Sequence, residues 1–224
     1  MKIQPVMIGV PTRGDVFYGT VEFLNMQASK GYISILEQAT LTVEHSRGRI
    51  SFKFLQNDHF THLFFLDDDV IAPDGVIEKL LAHDLPIVSA SYPLYIKQRI
   101  HTCGFHPGSE GGDNPILKGK KGLIEANTIG LGACLIKKEV IKKVLAYPCY
   151  RVVFKGDYEV KRTDDTTFCN FARYAGYKIY IDTDIICDHI KKVSLNQVYR
   201  DFICPDTQKK ETAISAGSHT KDPS

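Results

Sequence analysis

The 224-residue chain has 43% hydrophobic and 24% charged residues, the balance of a soluble globular protein with ample core for one domain. Its net charge of +2 is too small to mark nucleic acid as a partner. No stretch is long and apolar enough to cross a bilayer, and the first residues, broken by Pro5 and Pro11, lack the apolar segment of a secretory signal.

Residues 6–10 form an apolar run closed by Pro11-Thr12-Arg13-Gly14, which predicts a buried strand and the loop at its carboxyl end. Thr12 and Arg13 there either face a ligand or cap the next helix. Val16, Phe17, Val21, Leu24 and Ala28 recur at helical spacing, so a helix is expected over 16–29, stopped by Gly31. Residues 33–43 suit a second strand. His45-Ser46-Arg47-Gly48-Arg49 opens a helix that carries Ile50, Phe52, Phe54 and Leu55. A basic helix start opposes the macrodipole unless an anion lies near; the alternative is a solvated turn with loosely held arginines.

Residues 63–66 read as a third buried strand, ended by Asp67-Asp68-Asp69. Pro73-Asp74-Gly75 makes a turn, and Val76, Ile77, Leu80 and Leu81 give a short amphipathic helix before a fourth strand over 86–90. This alternation of strand and helix argues for a mostly parallel sheet with flanking helices.

Residues 91–122 have no helical period and predict loops and short antiparallel strands over the sheet's carboxyl edge. Lys118-Gly119-Lys120-Lys121 reads as a solvated hairpin, and His101 and His106 as packed or exposed histidines. A strand is expected over 124–136. Its Gly130 and Gly132 do not make a phosphate-binding glycine loop, since Lys137 and Lys138 fall where such a loop is already helical; they allow close backbone approach, within the sheet or to a ligand. Helices follow over 137–146 and from Thr163-Asp164-Asp165 to Gly176, then a short strand and a cluster of Asp182, Asp184, Asp188 and His189. The polar stretch 206–224 is expected as a mobile tail beyond one domain over 1–205. Cys103, Cys134, Cys149, Cys169, Cys187 and Cys204 include no C-x-x-C pair, so zinc is not signalled. They read as reduced thiols of a cytoplasmic protein, in the host cytoplasm if the chain is viral.

In an open α/β sheet, ligands bind outside the carboxyl ends of the strands. Three carboxylates there repel one another unless a cation joins them, and a divalent ion holding a phosphate-bearing substrate is the simplest solution. If the strand continued, Asp67 and Asp69 would share one side as a D-x-D pair. At the start of a helix, one of Asp164 and Asp165 can cap while the other faces the cavity.

Residues 8–14, Arg47, residues 65–70, residues 130–138, Asp164-Asp165-Thr166-Thr167-Phe168-Cys169 and Cys187-Asp188-His189-Ile190 occur in that order across most of residues 6–190. This ordered set resembles the GT-A-type, family-two-like glycosyltransferases that use sugar nucleotides. The resemblance implies a single GT-A-like (Rossmann-like) α/β domain, with a mostly parallel central sheet flanked by helices and a small antiparallel portion. It implies that Asp67 and Asp69 form the family's D-x-D motif. Asp67 then approaches the ribose or the metal-bound waters, and Asp69 and His189 ligate Mn²⁺ or Mg²⁺. A mixed oxygen and nitrogen shell favours Mn²⁺. Thr12, Arg13, Arg47, Asp67 and Asp68 would surround the nucleoside-diphosphate sugar. Asp165 matches the second acid of the family's Glu-Asp motif, the base of inverting enzymes. Asp164 replaces the glutamate, which leaves open which of the two is the base, and Gly48 replaces a common asparagine. The acceptor stays open among a glycan, a lipid-linked sugar, a protein and a modified nucleobase.

Two other readings fit parts of the pattern. In a haloacid-dehalogenase-type phosphatase, Asp67 would be the nucleophile, Asp69 the general acid, and Asp164-Asp165 the late metal-binding pair. A non-catalytic nucleotide-sugar-binding module would keep Arg13 and the fold without needing both Asp165 and His189.

Overall fold

The computed structural model describes residues 3–39, 42–96, 99–107, 113–115, 121–146, 149–155 and 159–199. The chain divides into two compact units, Met1–Ile190 and Lys191–Ser224. The boundary expected at residue 205, the tail beyond it, Cys204 and Lys118–Lys120 lie outside the described residues.

In chain order the elements are β1 (Val6–Thr12), α1 (Tyr18–Ser29), β2 (Ile33–Gln38), α2 (Val43–Leu55), β3 (His62–Leu66), β4 (Val70–Ile71), α3 (Val76–Ala82) and β5 (Ile87–Ser91). There follow β6 (Pro93–Ile96), β7 (Arg99–Thr102), β8 (Gly104–Pro107), β9 (Asp113–Pro115), β10 (Leu123–Ala126), β11 (Thr128–Ile129), β12 (Ala133–Lys137) and α4 (Lys138–Val144). The last are β13 (Val153–Lys155), β14 (Glu159–Arg162), α5 (Asp164–Tyr174), β15 (Ile179–Ile186), β16 (Asp188–His189) and, in the second unit, α6 (Leu195–Val198).

A seven-stranded sheet in the order β10-β15-β5-β12-β3-β1-β2 forms the centre. Strand β1 is parallel to β2 and β3, and β15 to β5, whereas β12 runs antiparallel to both β3 and β5 and β10 antiparallel to β15. The sheet is thus mostly parallel, as expected. All seven residues of β1 and all five of β5 are buried, which is why these strands read as apolar runs rather than alternating ones.

Three segments depart from their sequence pattern. The expected strand over 33–43 stops at Gln38, and Val43 already opens α2, whose cap is the Thr42 hydroxyl accepting from the His45 N–H. The basic residues 45–49 therefore lie inside a helix that begins at Val43 and carries Glu44 in its first turn, and the unfavourable basic start does not arise. The apolar run 124–136 divides into β10, β11 and β12, which belong to different places in two sheets. Hydrophobicity alone cannot separate one strand from three when the turn between them is also buried.

Helix α2 is seated directly on β1. Its buried face carries Ser46, Arg47, Ile50, Ser51 and Phe54. A Cβ on Gly9 of β1 would lie 2.5 Å from Ile50 Cγ2, so only glycine admits the helix this close. Arg47, one turn before Ile50 on the same face, is thereby carried inward. Among the described residues no helix is long and apolar enough to cross a membrane.

Candidate active site

Strand β3 ends at Leu66, and the three acids that follow form a turn rather than an extension of the strand. The Val70 N–H donates to the Asp67 carbonyl at 3.1 Å. The expected alternation of Asp67 and Asp69 against Asp68 therefore does not apply, because a turn sends each side chain its own way. Asp68 faces the loop after β1, where its Oδ2 accepts the Arg13 N–H at 3.2 Å. Its carbonyl accepts from the Phe17 N–H and the Thr20 hydroxyl, fixing the entry to α1. Thr12 is buried at the end of β1, its hydroxyl accepting the Gly14 N–H at 3.0 Å, while the Arg13 side chain is exposed.

Asp67 turns inward to Arg47. The guanidinium is 4% exposed and meets three carboxylates from two distant parts of the chain. Nη2 donates to Asp67 Oδ1 at 2.7 Å, Nη1 donates to Asp164 Oδ2, and Asp165 Oδ1 lies 3.3 Å from Nη1. Burial works against the guanidinium charge, but Asp67, Asp165 and Asp164 together outweigh it and hold Arg47 charged. The arginine expected near the nucleotide is thus the hub of a buried acidic cluster, and the alternative of a loosely held side chain is excluded.

Asp164 and Asp165 occupy the first turn of α5, behind the Thr163 cap, where the helix dipole favours negative charge. Asp164 is tied to Arg47. Asp165 accepts from the Leu131 N–H, but its Oδ1 is shielded from water and has no hydrogen-bond partner. Desolvation pushes Asp165 up to about 7; Arg47 opposes the shift, and Asp164 and Asp67 add to it. Desolvation likewise raises Asp67, against Arg47 and with help from Asp69.

His189 reaches the acids through a backbone ladder. Strands β16 and β4 pair antiparallel with His189 opposite Val70, and the Ile190 N–H donates to the Asp69 carbonyl at 2.9 Å. The His189 ring stands with Nδ1 2.7 Å from the Pro93 carbonyl oxygen and Nε2 3.4 Å from Asp69 Oδ1. A carbonyl oxygen only accepts, so Nδ1 carries the proton. In the neutral ring, Nε2 then presents a lone pair to a carboxylate, an arrangement that a cation reconciles. A histidine held by Nδ1–H···O=C is also the usual form of a metal-ligating imidazole. The Asp69 and His189 donor set therefore fits a divalent ion, although no group of three or more His, Cys, Asp or Glu among the described residues is arranged as a ready metal site.

Sequence reasoning missed Tyr92, which follows β5 and touches both His189 and the glycine turn, and Tyr150, which stacks on Phe168 at 5.5 Å and shares a hydrogen bond with Ser51. Nothing in their sequence neighbourhood distinguishes them from core aromatics. The glycines were legible in kind. A Cβ on Gly132 would lie 2.8 Å from Asp67 Oδ2, so the close backbone approach is to the site itself. His101 and His106 lie in β7 and β8. A cavity of about 630 Å³ opens along another face of α2, lined by His45, Arg49, Phe52, Lys53 and Tyr150, and none of the site carboxylates borders it. The five described cysteines are buried thiols, and desolvation pushes Cys103, Cys149 and Cys187 up to about 12, which keeps them protonated.

No protein-family model matches the chain, and no curated protein matches it by sequence. Solved structures do. A197 from STIV is similar at 18% identity with a TM-score of 0.61, over 84% of this chain and 87% of that one. GalNAc-T7, solved with UDP, GalNAc and Mn²⁺, is similar at 9% identity with a TM-score of 0.56, over 84% of this chain and 43% of that one. A glycosyltransferase involved in glycosylation of the major capsid of PBCV-1 overlaps 87% of this chain and 98% of its own at 12% identity, but its TM-score of 0.49 is too low to add to the fold argument. Identities this low speak to fold alone, and the fold is GT-A-like, as the ordered motifs imply.

Proposed function

We propose, with this GT-A-like fold as premise, that the chain is a glycosyltransferase moving a sugar from a nucleoside-diphosphate sugar to an acceptor hydroxyl, with inversion and with a divalent cation. The observation that carries this reading is that one three-residue turn serves two clusters at once. Asp67 joins Arg47, Asp164 and Asp165, while Asp69 adjoins His189. The UDP and Mn²⁺ held by GalNAc-T7 support a nucleoside-diphosphate donor and manganese for this chain.

Asp69 and His189 would hold the cation, and Asp67 has a second oxygen for its waters or the donor ribose. When bound, the ion offsets the negative charge that develops on the departing diphosphate. The chain's own residues supply the rest. Asp165, whose side chain is 27% exposed while its Oδ1 is buried against Arg47, takes the acceptor proton on its carboxylate. The acceptor oxygen then bonds to the anomeric carbon, the bond from that carbon to the diphosphate oxygen breaks, and its electron pair leaves with the nucleoside diphosphate. Arg47 fixes Asp164, which positions the first turn of α5, and this division of labour favours Asp165 over Asp164 as the base. Thr12, Arg13 and Asp68, at the end of β1, would line the nucleotide side, with Arg13 exposed and available to an anion.

The phosphatase reading needs the acid-bearing strand first in the chain, whereas β3 is the third. The test is to incubate the chain with sugar nucleotides, Mn²⁺ and hydroxyl acceptors. Nucleoside diphosphate released with sugar transferred supports the proposal. Phosphate released from a phosphomonoester, or binding without turnover, overturns it.

A further inference from the structure

We propose that Tyr92 is a positioning residue that sets the spacing between Asp67 and His189 across the cation site, an inference that rests on the glycosyltransferase reading above. Tyr92 is 3% exposed and stands directly after β5. Its hydroxyl accepts the Gly132 N–H at 3.0 Å, and the Gly132 carbonyl in turn accepts the Asp67 N–H at 3.0 Å. One residue therefore separates the Tyr92 hydroxyl from the backbone of Asp67. The other side of Tyr92 meets the histidine. Its ring packs edge-on against the His189 imidazole, with centroids 5.2 Å apart and planes at 82°. The next residue, Pro93, provides the carbonyl oxygen that holds His189 Nδ1 at 2.7 Å.

Two glycines leave room for Tyr92 beside Asp67. A Cβ on Gly130 would lie 2.0 Å from the Tyr92 oxygen, and one on Gly132 would lie 2.9 Å from it and 2.8 Å from Asp67 Oδ2. Gly130 makes room for the ring edge as well, since a Cβ there would also lie 2.8 Å from Tyr92 Cζ, and Gly132 makes room for Asp67 and the hydroxyl together. Burial, reinforced by Cys103, Asp67 and Asp165, raises the hydroxyl well above its ordinary range and keeps it protonated. Tyr92 is therefore a fixed hydrogen-bonding strut and not a rival to Asp165 as base.

The experiment titrates Mn²⁺ into the full chain with UDP present, by calorimetry, for wild type and Tyr92→Phe. Losing an outer partner of a metal site weakens metal affinity by roughly tenfold or more. The Phe variant is expected to bind Mn²⁺ about tenfold more weakly and to need about tenfold more Mn²⁺ for half-maximal transfer, with kcat restored when Mn²⁺ is in excess. A purely structural loss would lower thermal stability without that rescue. If wild type and Tyr92→Phe bind Mn²⁺ equally, the inference fails while the proposed function stands. If wild type itself binds no Mn²⁺, the cation reading fails and the inference with it. Should the Phe variant not fold, Gly130→Ala, whose Cβ would meet the Tyr92 ring and hydroxyl but not Asp67, displaces the same side chain, with the same weakening expected and equal binding again overturning the inference.

Discussion

Asp165 Oδ1 lies 3.3 Å from Nη1 of Arg47, out of water, with no hydrogen bond of its own. The ion partner holds the carboxylate from its buried side, while the side chain stays 27% exposed and so open to an incoming hydroxyl elsewhere. Asp165→Asn preserves the shape and removes the base. Base catalysis contributes roughly a hundred- to ten-thousand-fold, so transfer should fall by that order while donor affinity, read by calorimetry, stays within about twofold. Transfer at the wild-type rate would contradict the assignment.

The same group sets a pH dependence. With the cluster holding Asp165 near 7, the base is protonated and inactive below that value, so kcat/KM should rise with pH through about 7 and then level off. Stability runs the other way. A carboxylate raised above its unfolded value, about 3.9, binds its proton more tightly in the folded state, so its contribution is full below that value and is lost as pH rises through the folded pKa. The melting temperature of Asp165→Asn relative to wild type should therefore increase between pH 5 and pH 8, as followed by differential scanning calorimetry.

Arg47→Ala leaves Asp67, Asp164 and Asp165 facing one another without their cation. Breaking a buried ion pair from one side costs about 3–5 kcal/mol. Chemical denaturation at pH 8 should show a loss of that order, and the loss should shrink at pH 5, where protonation of the raised carboxylates relieves the repulsion.

The acids could be read from the sequence because charge at the end of an apolar run is costly and therefore conspicuous. The parallel strands were legible for the same reason, being buried on both faces. The turn at residues 67–69 was not, since three aspartates extend or turn with equal ease until a partner such as the Phe17 N–H fixes their backbone. Arg47 was legible as a position but not in its role, because a charge inside a helix reveals nothing of carboxylates 117 residues away. Tyr92 was invisible, since its partners Gly132 and His189 come from two later segments brought together only by the sheet.

Gly9 controls how deeply α2 and hence Arg47 sit. Gly9→Ala would set a methyl 2.5 Å from Ile50 Cγ2, and overpacking of this kind costs about 1–3 kcal/mol. The variant should lose stability of that order in a denaturation curve and also lose activity at temperatures where it remains folded, because the Arg47 hub moves with the helix. Full activity in a folded Gly9→Ala protein would separate α2 from the chemistry.

The most direct measurement is the thermal shift given by sugar nucleotides with and without Mn²⁺, for wild type, Asp69→Ala and His189→Ala, since a ligand of the native state raises its melting temperature by mass action. The account predicts a rise in wild type only when Mn²⁺ and a sugar nucleotide are present together, and no rise in either variant. An equal rise in wild type with Mn²⁺ chelated away, or an unchanged rise in Asp69→Ala, would contradict it.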